Sequence, residues 1–352
     1  MKHLLLLISL FSFSSQACVN SSYSRLDEKK ITNEMIFLAL GQFAHRSESF
    51  YLFHEQASLE KLRNEPEDFE ARNDLAVAYI KLAKYTEAEA ELDHNEKLHP
   101  GRYETAANYG VLFKKKGEYA KAAKFIAQSL GIKPEGHMGL GDYYLKMCEF
   151  LVNEEMEQNF LGVNYIEPPV KSAAIANKEY IVSLIKNDYA FADAYYILGD
   201  ILYTEGNLQL AIHAYAKAGS LNPVLPIRER YALIRNEWRE QRSFMQVVED
   251  RFSLRRKLDR RVNGAERWGE NFKLTEEQLM RSSQRIYEFG EIFNEMEIQG
   301  MSRVALLEVG TYLGFQFPVF LVLFVIIAAL LIGLKIASDQ RKKRKNLDQE
   351  EA

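Results

Sequence analysis

A 34-residue period organises the middle of the chain. Pro66, Pro100 and Pro134 follow one another at intervals of 34 residues, and residues 69–102 align with residues 103–136 without a gap. Within each stretch, apolar or small residues recur three and four positions apart, which places them on one face of a helix. A proline lacks the N–H that would continue a helix, so each proline closes a unit. The period therefore predicts a chain of repeated helical pairs.

A third copy of the unit covers residues 192–225. In the aligned units, Gly110 and Gly199 occupy the position where the two helices would approach most closely, and Ala122 and Ala211 lie at the matching contact. Since a large side chain would hold the backbones apart, we expect both glycines to tolerate alanine but not leucine. The residues predicted to pack the repeats are Leu75, Ala76, Tyr79, Ala88, Gly110, Ala122, Gly199 and Ala211.

These shared positions resemble the tetratricopeptide repeat family, whose unit is a helix–turn–helix of about 34 residues. The resemblance implies an all-α, right-handed solenoid of helical hairpins that binds or scaffolds other proteins. It also implies that the first helix of each unit lines a concave wall for the partner. The predicted partner-binding groove consists of Asn73, Asp74, Val77, Lys81, Asn108, Val111, Lys115, Tyr196, Asp200 and Tyr203. Because tyrosine is common among binding anchors, we expect Tyr196 and Tyr203 to contribute most to affinity.

The solenoid is predicted to span residues 35–241. Residues 35–68 fit a degenerate cap and residues 226–241 fit a capping helix, because the terminal units of a solenoid have a neighbour on one side alone. The third unit, residues 137–191, is about twenty residues longer than the period allows, and residues 153–169 are the predicted insertion.

This insertion is more apolar than a free loop requires, since it contains Phe160, Leu161, Tyr165 and Ile166. Two interpretations follow. The insertion either folds back on the solenoid or contacts a partner, and we favour folding back.

The N-terminal residues 1–17 have the pattern of a secretory signal peptide. A polar start precedes an apolar run that is too short to span a bilayer, and small residues end the segment at Ala17. Cleavage there would leave Cys18 as the first residue of a polar lead-in, residues 18–34. Simple cleavage is the favoured interpretation, lipid attachment to Cys18 and a retained anchor being the alternatives. A disulfide between Cys18 and Cys148 stays open, although the apolar surroundings of Cys148 favour a buried thiol.

Residues 311–336 are predicted to form a transmembrane helix. Positions 315–334 carry no charge, and roughly 20 such residues span the hydrocarbon core of a bilayer. A basic cluster, 341–345, follows in the tail, residues 337–352, and the positive-inside rule places it in the cytoplasm. We therefore expect a single-pass membrane protein whose repeats lie on the extracytoplasmic side. The low cysteine content favours a bacterial periplasm.

Residues 242–310 are predicted to form a charged helical, juxtamembrane region between the solenoid and the span. Thr275-Glu276-Glu277-Gln278 has the pattern of a capping box and predicts the start of a helix. Apolar residues follow at helical spacing, from Leu279 to Met296, and would lead toward the membrane.

The chain contains no HExxH, GxSxG, CxxC or phosphate-binding loop motif, so we expect neither catalysis, nor a cofactor, nor a bound metal. The net charge of −4 does not favour nucleic acid as a partner. The sequence thus predicts a membrane-tethered, non-catalytic scaffold or assembly factor with protein or peptide partners. The alternative is a subunit or sensor of a membrane complex that relays binding to a cytoplasmic partner.

Overall fold

The computed structural model describes five stretches of the chain, 34–136, 139–153, 157–170, 177–240 and 251–303, and the single positions Ser21, Tyr23, Ile327 and Lys335. Helices joined by turns and loops make up the described residues, with one isolated β-bridge between Gln158 and Asn164 in the stretch 157–170. The predicted all-α class is confirmed for this part of the chain. The helices are α1 (Met35–Leu40), α2 (Glu48–Asn64), α3 (Phe69–Lys81), α4 (Tyr85–Leu98), α5 (Tyr103–Lys115), α6 (Tyr119–Ile132), α7 (Gly141–Asn153), α8 (Lys178–Asn187), α9 (Ala192–Thr204), α10 (Leu208–Leu221), α11 (Ile227–Glu240), α12 (Arg251–Ser283) and α13 (Phe289–Ile298).

Three helical hairpins, α3–α4, α5–α6 and α9–α10, have the same dimensions. In each, a first helix of 13 residues is followed by a second of 14 residues. Ala83, Gly117 and Gly206 occupy the same position in the three turns. Their φ angles are all positive, at 58°, 76° and 79° respectively. Glycine adopts this backbone readily, whereas a residue with a Cβ loses about 1–2 kcal/mol there. The first hairpin therefore makes a strained turn that the other two avoid.

The predicted packing residues lie inside the repeats. Seven of the eight are buried and Tyr79 is half-buried. A Cβ at Gly110 would lie 2.6 Å from Cγ1 of Ile126, and one at Gly199 would overlap the ring of Tyr215. The structure argues against the expected tolerance of alanine at Gly199, because the Tyr215 ring that the added Cβ would meet is fully buried.

The third unit is split by the insertion. Helix α7 packs mainly against α6, and α8 packs mainly against α9. Cys148 of α7 is a free, fully buried cysteine, and desolvation raises the pKa of its thiol to about 11. The predicted buried thiol is confirmed.

The two helices of the predicted cap, residues 35–68, lie at different places in the molecule. Helix α1 packs mainly against α10 of the last repeat, whereas α2 packs against α3 of the first. Leu38, Leu40 and Phe43 explain this arrangement, because all three bury their side chains almost completely. The N-terminal segment thus joins the two ends of the solenoid.

Helix α12 completes this closure by packing against α1, α2 and α10, and α13 then folds back on α12. The helix is charged in sequence, but Leu258, Val262, Trp268 and Phe272 form a buried stripe along it. The predicted helix start at Thr275 is wrong, because this residue lies inside the continuous α12.

The chain ends carry several predictions that lie outside the described residues. These are the signal peptide, the fate of Cys18, nearly all of the predicted span and the basic tail. In the part of the chain that the structure describes, no helix has the length and apolar character that crossing a membrane requires.

Candidate functional site

A cleft of about 590 Å³ lies inside the closed arrangement of helices. The C-terminal ends of α3 and α5 form one side, and residues 187–190, between α8 and α9, form another. The segment 45–48 and helix α12 complete the lining. Repeats, N-terminal segment and α12 must therefore come together before the cleft exists.

A buried ion pair holds the N-terminal segment against α12. Arg46 Nη1 donates to Glu276 Oε1 at 2.5 Å and to the carbonyl of Tyr287 at 2.7 Å. The second carboxylate oxygen of Glu276 accepts from the backbone N–H of Ser47 at 2.6 Å. The Arg46 guanidinium also lies 4.3 Å from the ring centroid of Phe50 and 4.4 Å from that of Phe289. With both charges and most of their hydrogen-bonding groups satisfied, this contact can remain buried.

Lysine side chains dominate the electrostatics of the cleft. Lys81, Lys114, Lys115 and Lys273 belong to its lining, and Lys114 forms an ion pair with Asp188. Desolvation lowers the pKa of the Lys115 ammonium. Among the described residues, no ion pair or hydrogen bond of that ammonium is found, in a lining that also contains the carboxylates of Glu48, Asp188 and Glu277.

His45 lies beside these lysines. Its ring stacks on Tyr189 with centroids 4.0 Å apart, and its Nε2 atom has no hydrogen-bond partner among the described residues. The pKa of His45 is lowered to about 3, mainly by desolvation. The positive charges of Lys273 and Lys81 add to this effect, and those of Lys217 and Lys115 add to it more weakly. The imidazole is therefore neutral at physiological pH, in a region of positive potential.

The predicted groove is only partly brought together in this cleft. Lys81, Val111 and Lys115 line it. Asn73 and Asn108 are instead buried against each other, with Asn108 Nδ2 donating to Asn73 Oδ1 at 2.8 Å.

Val77 and Asp74, two further groove residues of the first repeat, differ in exposure. Val77 is fully buried. Asp74 is half-buried, and its carbonyl oxygen accepts from the Tyr23 hydroxyl at 3.2 Å. The Val77 side chain is therefore not available to a partner, whereas Asp74 stays partly exposed.

In the fourth unit, the prediction of an open wall at Tyr196 and Asp200 is wrong. Tyr196 is fully buried, and its hydroxyl donates to the carbonyl of Tyr165 at 2.6 Å. Asp200 accepts from the Tyr215 hydroxyl at 2.6 Å and from Arg230 Nε at 2.7 Å. The protein itself fills the space that the period assigns to a partner.

Tyr203, the remaining groove residue, is half-buried. Its hydroxyl donates to Glu237 Oε1 of α11 at 3.0 Å. It can contact a partner along its exposed edge, but it is not an unoccupied anchor.

The insertion covers this wall by folding back, as the favoured interpretation of its apolar residues predicts. The Tyr165 hydroxyl donates to Asp193 Oδ1 at 2.6 Å, and the backbone N–H of Phe160 donates to Asp193 Oδ2 at 3.3 Å. Arg230 Nη1 donates to the carbonyl of Glu167 at 2.8 Å and ties the end of the insertion to α11. Burial raises the pKa of the Asp193 carboxyl to about 6.

Several residues of these contacts were not predicted from the sequence, among them His45, Arg46, Arg230 and Lys273. One signal was present for Arg230. Arg230 is the fifth residue of the capping unit that begins at residue 226, and Tyr196 is the fifth residue of the repeat that begins at residue 192. The register therefore places Arg230 on the same concave side as Tyr196. For Arg46 no local signal exists, because its partner lies 230 residues further along the chain.

Comparison with known families supports the repeat interpretation. Residues 103–135 and residues 174–223 each match a family model described as a tetratricopeptide repeat. These matches contain the hairpins α5–α6 and α9–α10 and support a tetratricopeptide repeat protein. A comparison with curated proteins gave no significant match. In the described part of the chain, no group of three or more His, Cys, Asp or Glu side chains is arranged to hold a metal ion.

Proposed function

We propose that the protein is a non-catalytic protein–protein interaction scaffold, or assembly factor, that is tethered to a membrane with its repeats on the extracytoplasmic side. The observation that carries the proposal is the pair of tetratricopeptide matches on regular helical hairpins, since such repeats present extended binding surfaces. The uncharged stretch at 315–334 and the basic cluster at 341–345 support the tether and its orientation.

The partner surface lies on the outside of the closed solenoid. The insertion fills the concave wall at the fourth unit, and its outer side presents Ile166 and Val170, which are 70% and 66% exposed. These two exposed apolar side chains offer contact surface to another protein, which supports placing the partner on the insertion. Tyr203 adds a half-exposed aromatic side chain at the neighbouring hairpin.

Site-specific photo-cross-linking in membranes tests the scaffold proposal. A cross-linking residue at Ile166 should capture one or a few defined chains, whereas the same residue at the exposed Lys97 of α4 should not. Equal labelling from both positions, or none from either, would contradict a specific partner surface on the insertion.

Limited proteolysis tests the orientation separately. A protease added to intact spheroplasts should digest the repeats and leave the tail undigested. Repeats that stay protected until the cells are lysed would overturn the extracytoplasmic placement without affecting the scaffold proposal.

A second candidate function is a subunit or sensor that relays binding across the membrane. The packing of α12 against α1, α2 and α10 favours it, because a change at the repeats can reach the segment before the predicted span. The two functions differ in their need for the tail. Deleting 346–352, which keeps the basic cluster, should leave a scaffold active and should inactivate a relay. Cross-linking yield at Ile166 and a cellular assay of the complex would separate the two outcomes.

A further inference from the structure

The internal cleft combines features that a protein-binding surface does not require. It has a volume of about 590 Å³, which falls within the range of small-molecule pockets, roughly 300–1,000 Å³. Its walls come from four separate parts of the chain, so it is a pocket within the closed arrangement of helices. This site is distinct from the outer surface of the insertion.

The charge of the lining favours an anion. Lys81, Lys115 and Lys273 come from three different helices and meet in one cleft. Two carboxylates of the lining are paired: Asp188 with Lys114, which also lines the cleft, and Glu277 with Arg281 at 3.6 Å. Glu48 and the contact between Lys273 and Glu270 reduce the positive charge without removing it.

The surroundings of His45 agree with a positive field, since three of the four lysines that act on its ring, Lys81, Lys115 and Lys273, also line the cleft. The charged groups that act on its ring come from α3, α5, α10 and α12, and all are lysines. Its Nε2 atom is shielded from solvent and has no hydrogen-bond partner among the described residues. A buried polar atom without a partner is costly, and a bound ligand with a donor or acceptor would relieve that cost.

We propose that this cleft binds a small organic ligand carrying a phosphate group, with Lys115, Lys81 and Lys273 as its cationic contacts and His45 as a hydrogen-bonding neighbour. Lysine ammonium groups bind phosphate as mobile point charges. Tyr189 and Tyr85 supply aromatic surface for the organic part of the ligand. Because the ligand would touch repeats, N-terminal segment and α12 together, it would also stabilise the closed form.

Isothermal titration of the full-length protein with phenyl phosphate tests the site. The ionic strength and the detergent concentration stay constant in all titrations. We expect saturable binding that Lys115→Gln weakens at least tenfold. The matched control is Lys116→Gln, which removes the same charge from the next residue, where the ammonium pairs with Glu89 and Glu118 on the outer surface. This control should change the affinity less than twofold.

A second variant tests the site independently of Lys115, in case Lys115→Gln impairs folding. Lys273→Gln on α12 should weaken phenyl phosphate binding severalfold, with an unchanged circular dichroism spectrum. Phenol, which lacks the phosphate group, should not bind. Absence of phenyl phosphate binding, equal binding of phenol, or equal affinity of the Lys115→Gln and Lys116→Gln variants would overturn the proposal.

Discussion

The repeats and the segments that close them are stabilised in different ways. Within the hairpins α5–α6 and α9–α10, contacts form between residues close in sequence, and glycine or alanine at fixed positions lets two helices touch. The closing segments depend on polar contacts between residues far apart in sequence, Arg46 with Glu276 and Arg230 with Asp200. Local apolar packing defines the unit, whereas the closure combines apolar contacts with a few buried ion pairs between distant parts of the chain.

The largest expected effect comes from breaking the buried ion pair between Arg46 and Glu276, one of the closing contacts. Replacing Arg46 by methionine leaves the Glu276 carboxylate buried without its cation, which typically costs about 3–5 kcal/mol. We expect this loss in the free energy of unfolding of the full-length chain, measured by urea titration.

Two variants control this experiment. Arg285→Met removes a cation from the solvent-exposed pair with Glu291 and should change the unfolding free energy far less. Adding Glu276→Leu to Arg46→Met should recover part of the stability, since no unpaired charge then stays buried. If Arg46→Met and Arg285→Met were equally stable, the closing contact would be unimportant.

The insertion offers a pH-dependent test. Burial raises the folded-state pKa of Asp193 to about 6, whereas an unfolded aspartate titrates near 3.9. The folded state therefore binds the proton more tightly, so this group stabilises the fold below pH 4 and its contribution is lost as the pH rises through 6. Two pKa units correspond to about 3 kcal/mol.

The measurement compares the unfolding free energy of the parent and of Asp193→Asn between pH 4 and pH 7. Relative to the variant, the parent should lose stability as the pH rises across this window. A difference between the two proteins that does not change with pH would show that Asp193 is not held in the interior by the insertion.

The contact between repeat helices gives a smaller effect. Alanine at Gly199 would overlap the ring of Tyr215, and overpacking of this kind typically costs about 1–3 kcal/mol. Gly131→Ala in α6 is the matched control, because a Cβ there meets no atom within 4 Å. The control should be neutral or slightly stabilising, since alanine favours a helix. Equal melting temperatures for the two variants would contradict the packing in the fourth unit.

The smallest expected effect is an increase in stability. Ala83 has a φ of 58°, where a Cβ is unfavourable, so Ala83→Gly should stabilise the protein by about 0.5–1 kcal/mol after the entropy cost of glycine. Ala90 is exposed within a helix, so Ala90→Gly should instead lower the free energy of unfolding by about 1 kcal/mol. Chemical denaturation of both variants measures the opposite signs. A loss of stability at both positions would mean that the turn carries no strain.

Part of the candidate site followed from the repeat register, and part did not. Counting along the units put Lys81, Val111 and Lys115 on one wall, and all three line the cleft, because helical periodicity determines which side chains share a face. The same count put Tyr196 and Asp200 on a wall, but it could not show that the insertion and Arg230 cover that wall.

The sequence by itself determined the local unit: its period, its two helices and the small residues between them. These properties depend on contacts three and four residues apart or within one hairpin, so they repeat visibly in the chain. The tertiary structure alone decided where α1 and α12 pack, how the insertion folds back and which lysines meet in the cleft. Those outcomes depend on pairings between residues far apart in sequence, such as Arg46 and Glu276, and no local period records them.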